Sequence, residues 1–343
     1  MERGKHKSVT MADIAAAVGV SKNAVSLALT GKTGISEAMR TRIVETARLM
    51  GYQRPAEKPS EKACIVVIVP WYIRDDGTFY SDIFWAIEHE TRMQGYITLT
   101  VGLSQEMEQQ LILPDGTADM NVIGYLAVGI IRAEYLKKLY ATGKQVVCVD
   151  IHNSDVPLTC VAADNLYGGY LATRHLIEKG HRAIGFTGPI FSAQSVFERW
   201  CGFQKAMQTF DLTVQDDLCI LGQKKAFELL DNSAILGGYL DRLTRMPTAW
   251  FCAGDMIAIA MLKLLTARGY RVPEDVSIVG FDDLKIADMV SPALSTIHVE
   301  RKLMGKQSVS QLIRQAMFQV PALPVHISLP CYLVERQSVR VLP

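Results

Sequence analysis

No apolar run in the sequence is long enough to span a bilayer. The opening MERGKHKSVT carries none of the apolar stretch of a secretory signal. Both absences predict a cytoplasmic protein with no membrane partner. Seven cysteines leave one over from any complete pairing, and no two are spaced CxxC. Cys64, Cys148 and Cys252 sit inside the apolar runs ACIVVIVP, VVCVD and WFCAGD, where a free thiol behaves as a small hydrophobe. Neither a disulfide framework nor a zinc site is expected. GxSxG, the P-loop and GxGxxG are all missing; NLYGGY opens a helix without the phosphate-loop pattern. His175, His181, His298 and His326 fall in unrelated segments with no ligand spacing. The expectation is therefore no metal, no cofactor and no enzyme.

A chain of 343 residues exceeds what one core usually supports, so two or three domains are expected. With 49% apolar and 21% charged residues, its composition is that of a globular protein. The net charge of +1 hides an asymmetry. Residues 1–60 hold ten Lys or Arg against five Asp or Glu, which makes this head +5 and the remainder −4. A basic head on an acidic body points to a polyanion partner for the head alone.

Within the head, Thr10 and Asp13 have the spacing of a capping box, and Val9 and Ile14 fit the hydrophobic staple around it. A helix from about Met11 to Val18 should begin there and stop at Gly19. Ser21 is a natural N-cap for a second helix ending before Gly31, and Ser36 for a third, EAMRTRIVETARLM, ending at Gly51. Two short helices joined across GV match the helix-turn-helix pattern. On the second helix Val25, Ala28 and Leu29 share one face, while Lys22, Asn23, Ser26 and Leu27 share the other. A helix so short must pack its apolar face on Ile14, Val18 and the third helix. Its polar face is then left for the major groove: Lys donates to guanine, Asn pairs with adenine, and Ser21 and Ser26 suit phosphate oxygens. The competing reading is a small helical bundle with a solvated face.

The stretch TMADIAAAVGVSKNAVSLALTGKTGISEAMRTRIVETARLMGY resembles the N-terminal domain of the lactose/galactose repressor (LacI/GalR) family. The resemblance implies base contacts from Lys22 and Asn23, and backbone contacts from Ser21, Ser26 and Thr30. The DNA-facing set is completed by Thr10, Leu27 and Lys32. Leu27 stands where the family usually has Arg, replacing a guanine contact by an apolar one to a thymine methyl. Thr30 stands where Asn is common. The connector QRPAEKPSEK is shorter than the family's hinge segment, lacks its wedge leucine and contains Pro55 and Pro59, so no normal hinge helix is expected.

From Ala63 onward, apolar strand runs (CIVVIVP, VIGYLAVGI, QVVCVD, AIGFTGP, TAWFCAG and DVSIVGFDD) alternate with amphipathic helices. That alternation implies parallel sheets covered by helices, with ligands held outside the carboxyl ends of the strands. The segments after the strands offer Trp71, Tyr72, Phe79, Tyr80, Asp150, Arg199, Asp255, Asp282 and Asp283. Aromatic faces with a few polar groups make a small-molecule pocket. Asp164 and Asp255 also stand where helix caps belong, Asp283 suits the GFDD turn, and Trp71 and Tyr72 suit the covering of a strand end.

The body too resembles the family's effector-binding core, in VAADNLYGGYLATRHLIEKGHRAIGFTGP, PTAWFCAGD and RVPEDVSIVGFDDLKIADMVSPALSTIH. That core is similar to periplasmic sugar-binding proteins. The implied fold is an all-α helix-turn-helix domain (1–56), a linker without a typical hinge helix (57–62), and an α/β periplasmic-binding-protein-like body of two parallel-sheet, Rossmann-like lobes. The first lobe is expected at 63–161 with 290–322, the second at 162–289 with 323–343. Asp150, Arg199 and Asp282 match effector-contacting positions; Phe79 and Tyr80 match an aromatic pair that stacks on a ligand ring. Gly254 replaces a usual Asn. Arg301 replaces a ligand-facing aromatic, which suits an acidic or phosphorylated effector or, on the plainer reading, a surface charge at a helix start.

The leading expectation is a homodimeric repressor of double-stranded operator DNA, controlled by a sugar or related metabolite bound between the lobes. The C-terminal ERQSVRVLP has no heptad repeat for a tetramer. The rivals are a small-molecule receptor and a sugar hydrolase using Asp150 and Asp282 as its carboxylate pair.

Overall fold

The computed structural model describes residues 9–29, 34–50, 52, 63–73, 79–114, 120–151, 155–222, 233–318 and 323–343. Thr30, Lys32, both glycine stops after the second and third helices, the linker 57–62 and the loop 74–78 lie outside these residues.

Three helices form the head: α1 (Met11–Val18), α2 (Lys22–Leu29) and α3 (Glu37–Leu49). Thr10 and Asp13 make the capping box in both directions, and Gly19 closes α1 in the left-handed region at φ 77°. The Ser21 hydroxyl accepts from Ala24 N at 3.1 Å, and the Ser36 hydroxyl accepts from Met39 N at 3.4 Å. Helices α1 and α2 are bent 105° apart, within the helix-turn-helix range. Ile14, Val18, Val25, Ala28, Leu29, Ile43 and Ala47 bury a core of the head's own. No single helix among the described residues is long and apolar enough to cross a membrane.

The body opens with β1 (Ala63–Pro70), α4 (Phe79–Met93), β2 (Ile97–Leu103), α5 (Gln105–Gln110), β3 (Asn121–Val128), α6 (Ala133–Tyr140), β4 (Gln145–Val149) and β5 (Thr159–Ala163). The chain then crosses to α7 (Asn165–Glu178), β6 (Ile184–Thr187), α8 (Gln194–Thr209), α9 (Ser233–Leu240), β7 (Ala249–Cys252), α10 (Asp255–Ala267), β8 (Ser277–Val279) and α11 (Lys285–Met289). It returns through β9 (Thr296–Val299) to α12 (Arg301–Phe318), β10 (His326–Leu329) and β11 (Cys331–Val334).

The first lobe's sheet has the order β10-β5-β4-β3-β1-β2, with every neighbouring pair parallel. Along β1, Ile65, Val67 and Val69 enter one core while Cys64, Val66 and Ile68 enter another. Both faces are thus covered, as a parallel sheet requires. The second lobe's sheet is β6-β7-β8, also parallel. Strands β9 and β11 form an antiparallel ribbon between the lobes.

Two expected lobe boundaries are corrected. His326–Leu329 pairs with β5 in the first sheet instead of joining the second lobe. The segment before β9 stays with the second lobe, where Gly280 N donates to Ser295 O and Leu294 N to Ala287 O. The return to the first lobe therefore begins at β9, and the final passage begins after Leu329. Strands β2, β5, β9, β10 and β11 were not among the expected runs; β2 and β10 lie at sheet edges, where apolar continuity is not required.

Candidate nucleic-acid interface and effector cleft

On α2 the apolar face is buried as its spacing requires, and Lys22 and Asn23 are exposed on the opposite side. Ser26 and Leu27 are half-buried, and Leu27 packs towards Gly34 at the foot of α3. Arg40 of α3 donates to the carbonyls of Leu27 at 3.2 Å and Ala28 at 3.3 Å. Both carbonyls belong to the last turn of α2, so Arg40 caps α2 from outside and ties it to α3. The exposed face of α2 is thereby presented rigidly.

In the body, β1 is flanked by β2 on one side and β3 on the other, so the strand order reverses at the carboxyl ends of β1 and β3. Such a switch point leaves a crevice. Tyr72, after β1, reaches across it, and its hydroxyl accepts from Ile130 N beyond β3 at 2.5 Å. Gly129, at φ 73°, makes this possible: a Cβ there would lie 2.9 Å from the Tyr72 hydroxyl and 2.5 Å from Ile73. Burial pushes the Tyr72 phenol far up, so it remains a hydrogen-bonding group. Trp71 is 52% exposed and meets Tyr72 edge-on.

Tyr80, at the start of α4, donates to Asp150 Oδ2 at 2.8 Å. Asp150, directly after β4, lies in the left-handed region at φ 73° and is buried. The neighbouring Phe79 is also buried and meets Tyr80 edge-on at 5.1 Å.

Across the cleft, Arg199 of α8 lies 3.3 Å from the Asp282 carboxylate, and its guanidinium rests 3.8 Å from the Phe281 ring centroid. Its Nε donates to Asn165 Oδ1 at 2.9 Å and a terminal nitrogen donates to Ala253 O. Close packing of α7 on α8 sets this up, because a Cβ on Gly169 would lie 2.3 Å from the Arg199 carbonyl oxygen. Arg301 is buried as well. It donates to the Asp82 carboxylate at 3.2 Å, to Asp283 O at 3.3 Å and to Asp282 O. Arg301 is therefore not the surface charge that the plainer reading expected, and three of its donors face protein acceptors.

Asp164 caps α7 by accepting from Tyr167 N at 3.0 Å. Asp255 does not cap α10, where the N-cap is Gly254. Its carboxyl instead accepts from Leu284 N at 2.8 Å and Thr296 Oγ1 at 2.6 Å. Burial, reinforced by Asp282, pushes that carboxyl up to about 8. Asp283 holds its turn through His298 and Arg336, each at 2.7 Å. Burial raises its carboxyl, but these two partners outweigh that and hold it below the usual range.

The predicted cleft residues thus converge in two linked groups, Tyr72–Tyr80–Asp150 and Arg199–Asp282–Arg301, joined through Phe79. Asp82, Asn165 and Phe281 belong to the same assembly and were not singled out from sequence. A polar cavity opens beside it, lined by Asp150, Cys160 and Ala162 on the first lobe, Ser195 and Glu198 on the second, and His326 and Ser328 of β10. Of the predicted cleft residues only Asp150 lines this cavity, because Arg199, Asp282 and Arg301 are closed upon one another. Burial pushes the Cys148 thiol up to about 12, consistent with an inert hydrophobe. Among the described residues no His, Cys, Asp and Glu cluster is arranged to hold a metal.

Residues 10–55 match the family described as bacterial regulatory proteins, lacI family, and residues 173–339 match a periplasmic binding protein-like domain. The chain joins a LacI-type helix-turn-helix domain to a periplasmic-binding-protein-like domain. A PurR HTH-type transcriptional repressor from Actinobacillus pleuropneumoniae serotype 3 is 29% identical over 342 residues, covering 97% of this chain and 99% of the relative. Among solved structures, a transcriptional regulator CelR–cellobiose complex superimposes with TM-score 0.71 at 25% identity, covering 96% of this chain and 99% of that one. A lac repressor dimer bound to operator and an anti-inducer gives TM-score 0.68 at 21% identity, covering 97% and 100%, a likeness of fold. The chain is a DNA-binding transcriptional regulator with a ligand-binding body, and the relatives it matches are repressors, not enzymes.

Proposed function

We propose that the chain represses transcription as a cytoplasmic homodimer, with two copies of α2 in successive major grooves of a pseudo-palindromic operator and a neutral, hydroxyl-rich effector held between the lobes. Lys22 and Asn23 read base edges, Ser21 and Ser26 hold phosphates, and Thr10, Leu27, Thr30 and Lys32 complete the contact. Half-sites one helical turn apart follow from a dimer of such heads.

The observation that carries the effector reading is the cleft's charge arrangement. Asp150 and Asp282 bring two carboxylates, while Arg199 and Arg301 face Asp282, Asp82 and backbone carbonyls. Carboxylates accept from hydroxyls, and Trp71 and Tyr72 at the crevice mouth supply apolar ring faces. A sugar or sugar derivative fits this chemistry better than a phosphorylated ligand, and the likeness to a cellobiose-bound regulator supports it.

Two measurements test the proposal. Enrichment of duplexes from a random pool by the full chain should yield a two-fold-symmetric site. Calorimetry with cellobiose and with glucose 6-phosphate should then favour the neutral sugar, and tighter binding of the phosphorylated one would overturn the effector class.

A further inference from the structure

We propose that Asp82 and Arg301 form a strut that positions Asp282, the carboxylate which holds Arg199, so that displacement of Asp282 by a ligand is felt directly by α4. The inference rests on reading the space between the lobes as the effector cleft.

Arg301 begins α12, which packs with α4 against the first lobe's sheet, whereas Asp282 and Asp283 belong to the loop after β8 in the second lobe. Its guanidinium therefore crosses from one lobe to the other. Nε faces Asp82 Oδ2 at 3.2 Å, one terminal nitrogen donates to Asp282 O, and the other donates to Asp283 O at 3.3 Å. The same guanidinium lies 5.8 Å from the ring centroid of Phe79, one turn of α4 before Asp82. A planar fork with fixed donor directions can satisfy these three acceptors together; a lysine ammonium cannot.

The loop it grips needs gripping. Asp282 has φ 107° and Asp283 has φ 50°, a pair of non-glycine residues in a region that L side chains seldom enter. Such backbone persists only where its surroundings over-determine it. Asp282 is held from both sides: its carbonyl by Arg301 of the first lobe, its carboxylate by Arg199 of the second. A ligand hydroxyl that draws the carboxylate from Arg199 would move the backbone that Arg301 holds, and Asp82 with it.

Hydrogen-exchange mass spectrometry on the full chain tests this without an identified effector. R301K and D82N should each raise exchange of the amides at 281–284 by about tenfold, while β7 stays at the wild-type rate. The double variant should exchange no faster than the faster single one, because both changes remove one strut. The charge swap D82R/R301D should remain deprotected, since the carboxylate introduced by R301D has no donor for the two carbonyls. Wild-type exchange in D82N or R301K, protection restored by the swap, or faster exchange throughout β7 would each overturn the proposal. If instead the unmodified chain selects no duplex from a random pool, the regulator reading fails while the exchange result stands on its own.

Discussion

Arg199 meets Asp282 at 3.3 Å with its guanidinium over the Phe281 ring, and neither side chain keeps more than 16% of its exposure. Removing one partner of so enclosed a pair leaves a charge with reduced solvation. R199M should therefore destabilise the body by about 3 kcal/mol, near the low end for broken buried pairs because Asp282 retains some solvent. D282N, which keeps a hydrogen-bonding group, should cost less. Urea unfolding of the two variants gives the comparison, and equal costs would contradict the assignment.

On the head, K22A and N23A remove groups that play no part in its core. Each should weaken binding to the selected operator by about 1–3 kcal/mol and relax preference at one or two base positions. Circular dichroism should be unchanged. Uniform weakening across all sequences would instead make these residues phosphate contacts.

The α7–α8 crossing leaves no room for a methyl group. In G169A the new Cβ would stand 2.3 Å from the Arg199 carbonyl oxygen, and in G202A it would stand 2.1 Å from Leu166 O. Both obstacles are backbone, so the helices must separate. Each variant should lose about 1–3 kcal/mol, and calorimetric response to any ligand that the wild type binds should fall with it, because Arg199 rides on α8.

Asp255 gives the body a pH signature. Folded, its carboxyl keeps a proton up to about 8, because burial and Asp282 disfavour its charge. Unfolded, it releases that proton near the ordinary value of about 4. Between these values the folded chain binds more protons, so this residue's contribution to stability falls as pH rises from about 4 to about 8, then levels. His181 works in the opposite sense: burial lowers its imidazole to about 4, and stability is lost as pH falls from about 6.5 towards that value. Thermal scans of wild type and D255N across pH 6–9 should show a Tm decline of several degrees in the wild type alone.

The head was legible because its signals are local. Thr10, Ser21 and Ser36 each cap a helix through a contact three residues away, and such spacing is written directly in the chain. The strand–helix alternation of the body was legible for the same reason. Asp255 misled because a carboxylate at a helix start reads as a cap, while its true partners, Leu284 and Thr296, come from another turn and another strand. Arg301 and Asp82 stand 219 positions apart, and no periodicity links them. The edge strands β2 and β10 were passed over because threonine, serine and histidine interrupt the continuous apolar runs by which the central strands were read, even though Ile97, Leu99, Val101 and Leu103 of β2 alternate cleanly.

Among the described residues, eight buried side chains of the head form a cluster shared with neither lobe. Changes on the outer face of α2 therefore leave the packing of the body untouched, and changes around Phe281 leave that of the head untouched. Duplicated genes built on this plan can vary one unit at a time, without an intermediate in which both unfold.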